Sequence, residues 1–341
     1  MDPQKARRPG ARPSWCGPLL HTAVASVVLV GVTASGTTHV KAQAPGGTGL
    51  VSSSAAPSAG AQAADVSQSP EATVESVAAT ASPPPAVPAV DRDALLAKAM
   101  ESVAVEDGAR VSVAVLDPES GQSAVYGDGS FDTASIVKVD ILAALLLQAQ
   151  DEGRELTASE KSYATVMIKN SDNVSASELW DAIGRAGGLA AANERFGLSG
   201  TEGGNGALWG LTQTTAADQL TLLGQVFGDE SELSEASRAY LRGLMGDIAV
   251  GQDWGVSAVG SEQAENSGDG ATGLQFALKN GWLPRSQTGL WVINSIGRVT
   301  VDGHAHLVAA LSQGNSTKAK GISLVEAAAR AAVSSLRDAD V

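Results

Sequence analysis

The chain has 341 residues, 43% of them hydrophobic and 18% charged, enough to bury one large core or two smaller ones and far more than a small disulfide-stapled scaffold. With 37 acidic against 23 basic residues the formal charge is −14, so the basic stripe that nucleic-acid binding requires is missing and nucleic acid is not an expected partner. Cys16 is the only cysteine, which excludes an internal disulfide and leaves stability to packing.

Lys5, Arg7, Arg8, Arg12 and Lys41 precede residue 45, with only Asp2 opposing them. A mostly apolar run from Leu19 to Val32 follows the basic start, and then the small-residue stretch Ala42-Gln43-Ala44. This layout predicts a secretory signal peptide over residues 1–44 and a mature protein that is secreted or otherwise extracytoplasmic. The alternative is an uncleaved N-terminal membrane anchor, because the apolar run extended through Thr38 approaches a spanning length. Cys16 lies before that run and so is not a lipid-bearing cysteine placed after it. Residues 45–90 hold seven of the thirteen prolines and three charges, Asp65, Glu71 and Glu75. Such a segment buries too little apolar surface to offset its ordering entropy, and it reads as a flexible tether.

Ordered sequence is expected from Asp91, an N-cap for a helix whose Leu95, Leu96, Ala99, Met100 and Val103 share one face. Arg110 to Leu116 and Ser123 to Tyr126 read as two strands joined by the Pro118 to Gly121 turn. A strongly apolar helix is predicted from Ser135 to Glu152, stopped by Gly153, and shorter helices from 158 to 246. Gly273 to Leu278, Leu290 to Ile296 and Ala305 to Leu311 read as three strands, and Ile322 to Leu336 as a closing helix. This order of elements is that of an α+β domain.

Ser135 and Lys138 sit three residues apart at the start of the apolar helix, a spacing that places both side chains on one face. A serine hydroxyl is a weak nucleophile unless a base takes its proton, and a lysine is such a base once burial or a nearby cation lowers its pKa. The N–H groups at a helix start favour an oxyanion developing beside the serine. Ser-x-x-Lys alone recurs by chance in a serine-rich chain. Here Ser171-Asp172-Asn173 follows 33 residues after Lys138, at the end of a helix-like run, and Lys279-Asn280-Gly281 comes later, at the end of a predicted strand.

These three elements, in this order, resemble the active-site set of the penicillin-recognising serine enzymes, the class A β-lactamases and penicillin-binding proteins: S-x-x-K, S-D-N and K-T-G. The resemblance covers about residues 91–338. It implies the β-lactamase/transpeptidase-like fold, an antiparallel sheet of about five strands flanked by terminal helices beside a reduced all-helical subdomain. It also implies that Ser135 is the acylated nucleophile, Lys138 its base and Ser171 a proton relay to the leaving nitrogen. Asn173 would bind the substrate amide, Lys279 would supply a cation, and the N–H groups of Ser135 and Trp282 would form the oxyanion hole. Asp172 would hold the loop.

Three departures qualify the match. Only 36 residues separate Ser135 from Ser171, which predicts a shortened helical wall and a more open cleft. The third motif carries Asn280 in place of a hydroxyl residue, followed by Gly281 and Trp282; the Asn280 amide would donate to a substrate carboxylate. The loop from Gly197 to Gly210, before the Thr-rich stretch 211–215, has Glu202 as its only carboxylate, the one candidate there for a deacylation base.

Arg285 and Arg298 are alternative second cations for a substrate carboxylate, and Trp209, Trp254 and Trp282 are candidates for cleft lining or core burial. His304 and His306 alternate on one strand; without cysteine or a neighbouring carboxylate cluster they read as structural or solvent-facing, not as a metal pair. The expected protein is a monomeric serine hydrolase without metal or cofactor that opens β-lactam rings through an acyl-serine intermediate, with slow deacylation if no base replaces the loop glutamate. The alternatives are a D-alanyl-D-alanine-type peptidase or esterase acting on peptidoglycan-derived substrates, and a cell-wall binding protein without turnover.

Overall fold

The computed structural model describes residues 90–260 and 276–337. The signal or anchor and the tether expected over residues 1–89 lie outside the described residues. Helix α1 (Arg92–Met100) starts where expected: the Asp91 carboxylate accepts a hydrogen bond from the Ala94 amide at 3.0 Å. It stops before Val103, so only Leu96 and Met100 of its apolar face are buried.

Strands β1 (Arg110–Leu116) and β2 (Ser123–Tyr126) form the predicted hairpin, with the Asp117 carboxylate bracing the turn by accepting from the Glu119 amide at 2.8 Å. Late in the chain come β5 (Phe276–Pro284), β6 (Trp291–Val301), β7 (His304–Asn315) and the closing helix α8 (Lys318–Arg337). The two parts interleave into one five-stranded antiparallel sheet of order β2-β1-β7-β6-β5. Alternation along β1 and β7 sends Val113, Val115, Val308 and Ala310 to the face covered by α1 and α8, where they meet Leu96, Val325, Ala329 and Val333. Ala114, Leu307, Ala309 and Leu311 face the other way, toward the helical block. Both faces are covered, so these strands read as continuous apolar runs.

That block is built around α2 (Val137–Asp151), reached through a 3₁₀ turn at Ala134–Ile136. The predicted start of this helix at Ser135 therefore falls inside the 3₁₀ turn. Every residue of α2 from Val137 to Leu147 is buried, which explains an apolar sequence without a polar stripe. Around it pack α3 (Ala158–Lys169), α4 (Asn173–Ala182), α5 (Arg185–Phe196), α6 (Ala216–Phe227) and α7 (Glu235–Gly246). The two-residue strands β3 (Phe131–Asp132) and β4 (Gln213–Thr214) pair and tie the loop before α6 to the turn before α2. Among the described residues no helix is long and apolar enough to cross a membrane.

Strand β5 corrects the sequence reading. It runs on through Lys279, Asn280 and Gly281 to Pro284, so the third motif lies within a strand instead of at its end. Polar side chains broke the apolar pattern there, yet Lys279 and Asn280 are each 1% exposed and hydrogen-bonded by groups from elsewhere in the chain.

Candidate active site

Ser135 sits on the 3₁₀ turn, and the residue before it, Ala134, has φ 49°, in the left-handed region that costs a side chain conformational energy. That turn is held from three sides. The Thr133 amide donates to the Thr212 carbonyl at 2.8 Å, and Asn294 of β6 donates from Nδ2 to the carbonyls of Asp132 and Thr133, each at 2.9 Å. From the third side comes Gly281, where a Cβ would lie 2.8 Å from the Thr133 oxygen and 2.9 Å from the Ser135 nitrogen. Only glycine lets the edge strand β5 approach the nucleophile turn so closely.

Lys138, one turn along, is fully buried. Its Nζ contacts Ser135 Oγ at 3.1 Å, Ser171 Oγ at 3.1 Å, the Ser171 carbonyl at 2.6 Å and Asn173 Oδ1 at 2.9 Å. Ser171, between α3 and α4, has φ 57°, the second strained non-glycine residue of the site. Lys279 Nζ approaches the same Ser171 hydroxyl at 3.0 Å and donates to the Asn280 carbonyl at 2.9 Å. A continuous chain therefore runs Ser135, Lys138, Ser171, Lys279. Burial pushes the Lys138 ammonium down to about 7, against an opposing pull from the Asp172 carboxylate. Burial, and then the charge of Lys138, push Lys279 well below the ordinary lysine value.

The two lysines and Ser171 stand behind a cleft of about 540 Å³ lined by Ser135, Asn173 and Trp209 on one side and by Trp282, Pro284 and Arg285 on the other. Asn173 spends its oxygen on Lys138, which leaves its NH₂ group for a ligand. Asp172 caps α4, accepting from the Ser175 amide at 2.7 Å, so its carboxylate holds the loop from the helix side. Between the two candidate arginines the structure discriminates: Arg285 lines the cleft, held by Asp132 at 2.8 Å, while Arg298 stands on β6 outside the lining.

Two expected site residues are corrected. Asn280 does not offer its amide to the cleft, because both Nδ2 hydrogens are donated to the carbonyls of Gln252 at 2.8 Å and Trp254 at 2.9 Å. Strand alternation turns it to the face opposite Lys279. Glu202 pairs through its backbone with Gln213, its side chain is exposed, and it is not part of the cleft lining, in which no carboxylate occurs among the described residues. Of the tryptophans, Trp209 and Trp282 line the cleft and Trp254 packs edge-to-face on Trp282 with centroids 6.1 Å apart. His304 and His306 share one face, as alternation predicts, but line a separate cavity with Asp117 and Arg337, His306 buried and His304 exposed. The sequence reading missed Asn294 and Asp132 as anchors of the nucleophile turn; an asparagine within an otherwise apolar strand was the signal for the first.

The antiparallel sheet between terminal helices and a helical block, with a serine and two lysines converging at its edge, is a β-lactamase-like serine hydrolase fold. The chain belongs to the beta-lactamase enzyme family, whose model matches residues 95–161 and 153–336. Among solved structures it is similar to PBP-A in an acyl-enzyme complex with penicillin G (a mutant form; TM-score 0.59, 21% identity, covering 72% of this chain and 97% of that one). The TLA-1 extended spectrum beta-lactamase matches with TM-score 0.58 and 16% identity, over 72% of this chain and 98% of that one. A beta-lactamase from Xanthomonas campestris pv. campestris matches at 0.54 and 21%, over 70% and 95%. At these identities the likeness is one of fold. In sequence, the Mycobacterium tuberculosis protein named "Putative lipoprotein LppW" is 30% identical over 178 residues, 52% of this chain and 55% of that protein. The chain thus spans about half the length of the curated relatives it matches.

Proposed function

We propose that this chain is an exported serine hydrolase that is acylated on Ser135 by β-lactams and releases the acyl group slowly. The observation that carries this reading is the hydrogen-bonded chain from Ser135 Oγ through Lys138 Nζ and Ser171 Oγ to Lys279 Nζ, opening on a cleft. A neutral Lys138 amine takes the Ser135 proton as Oγ attacks the lactam carbonyl. The oxyanion forms against the N–H groups of Ser135 and Trp282. As the C–N bond breaks, the proton passes from Lys138 through Ser171 to the leaving nitrogen. Lys279 holds the Ser171 hydroxyl from the other side, and burial is what favours the neutral form of Lys138. Arg285 supplies the cation for the substrate carboxylate and the free Asn173 amide orients the acyl side chain.

Slow release follows from the lining, which among the described residues offers no carboxylate to activate water. Loss of a positioned general base costs a factor of about 10² to 10⁴. The same observation favours a second reading in which the natural substrate is a D-alanyl-D-alanine-type peptide of the cell wall and a β-lactam is its mimic. Export is supported by the basic and apolar start of the chain and by the name of the mycobacterial relatives. The boundaries proposed are 1–44 for the leader or anchor, 45–90 for the tether and 91–338 for the hydrolase domain.

Intact-protein mass spectrometry after brief exposure to benzylpenicillin tests the chemistry. A mass increase of one penicilloyl group, mapped to Ser135 and absent in Ser135→Ala, is expected; an unmodified protein would sink the proposal. Release of D-alanine from a depsipeptide would select the second reading.

A further inference from the structure

Resting on the acyl-serine reading, we infer that Trp209 is a positioning residue that shuts hydrolytic water out of the acyl-enzyme: its indole occupies the space from which a water would reach both Lys138 and the ester on Ser135. The ring centroid lies 5.0 Å from Lys138 Nζ, and the residue lines the cleft beside Ser135. A water hydrogen-bonded to that nitrogen sits about 2.8 Å away and extends about 1.4 Å further, and an aromatic face needs about 1.7 Å of its own. The required span, about 6 Å, exceeds the gap, so water and indole exclude each other on this side of the lysine. The remaining directions around Nζ are taken by Ser135, Ser171 and Asn173.

The indole is fastened in that position. Its Nε1 donates to Ser177 Oγ of α4 at 3.1 Å, and the Ser177 hydroxyl donates in turn to the Asn173 carbonyl at 3.1 Å. The loop behind it is closed by the Gly204 amide donating to Thr212 Oγ1 at 3.1 Å and by Trp180 Nε1 donating to the Gly206 carbonyl at 2.8 Å. At Gly204 a Cβ would come 2.1 Å from the Leu208 carbonyl oxygen, so the loop is folded tightly on itself.

With the ring removed, the chemistry that becomes available is balanced by groups already present. Water oxygen attacks the acyl carbon while Lys138 Nζ, neutral once the leaving nitrogen has been protonated, takes the water proton. The bond from the acyl carbon to Ser135 Oγ then breaks, and the proton held by Lys138 passes to that oxygen, regenerating the free enzyme and a carboxylic acid. Lysine thus takes the role for which the cleft, among the described residues, holds no carboxylate.

The test is the lifetime of the benzylpenicilloyl adduct on the full chain, followed by intact mass after removal of free penicillin. In Trp209→Ala the adduct should decay about 10- to 100-fold faster than in the parent protein, with a rate that rises with pH as Lys138 loses its proton. Trp209→Phe should keep a lifetime near that of the parent protein, because a flat ring remains. Ser177→Ala, which frees the indole without deleting it, should give an intermediate gain and serves if the alanine variant at 209 does not fold. A merely structural role for Trp209 would slow both acylation and decay, so a gain in decay rate is specific. Decay no faster than the parent's in Trp209→Ala, or in Ser177→Ala if the former does not fold, would overturn the inference. Absence of any adduct on the parent protein would instead sink the acyl-serine reading on which it rests.

Discussion

At the scale of single residues the site depends on one amine made neutral near physiological pH. Lys138 is fully buried, and burial brings it to about 7, so the fraction able to accept the Ser135 proton rises with pH through that value. The rate of Ser135 acylation by a β-lactam, measured by stopped-flow or quenched mass spectrometry, is expected to be half-maximal near pH 7 and to level off above it. A rate that falls across that range would show that the protonated lysine is the active form. Glu202 has an equally definite expectation: exposed and outside the cleft lining, it takes no part in clearing the acyl group. In Glu202→Gln the adduct lifetime is expected to stay within about twofold of the parent value, well short of the loss that follows removal of a general base. A lifetime many times longer would put that carboxylate back in the mechanism.

At the scale of elements, function rests on how closely β5 approaches the turn before α2. Gly281 leaves no room for a methyl group between the strand and the Thr133 oxygen or the Ser135 and Ile136 nitrogens, which a Cβ would meet at 2.8, 2.9 and 3.0 Å. Gly281→Ala therefore pushes the strand, and with it the Trp282 N–H, off the nucleophile. A shift of about 1 Å is enough to cost about 10² in rate. The expected result is a folded protein, by circular dichroism, whose acylation falls by about that factor. Wild-type acylation in this variant would mean that the strand edge contributes nothing to the oxyanion site. The same closeness explains why the third motif was only partly legible. Its lysine and glycine are legible by type and order, but residue type alone makes Asn280 a cleft donor. Its amide is instead consumed by the Gln252 and Trp254 carbonyls, contributed by a loop whose position no local pattern reveals.

For the whole molecule, the cleft is bought with stability. Lys138 in the unfolded chain titrates near 10.5 and in the folded chain near 7, so between those values the unfolded state binds more protons and stability rises with pH. The penalty is present in full below about 7 and gone above about 10.5. Lys138→Met removes it, and chemical denaturation at pH 7 is expected to show a gain of about 2–4 kcal/mol, the pKa displacement at about 1.4 kcal/mol per unit less the hydrogen bonds lost. That gain should shrink as pH is raised toward 10, and acylation should be abolished. A variant less stable than the parent protein at pH 7 would mean that the hydrogen bonds of Lys138 outweigh its burial. The amino-acid sequence by itself determined the α+β order, the apolar α2 helix, the hairpin and the three motifs in their order. These are written in local periodicity, capping and residue type, which depend on near neighbours along the chain. Only the tertiary structure decided which polar residues share the cleft, that Arg285 and not Arg298 lines it, that Asn280 and Glu202 turn away, and that Trp209 covers Lys138. Those outcomes depend on burial and on contacts between segments tens to more than a hundred residues apart, where desolvation and close approach outweigh any preference a residue carries alone.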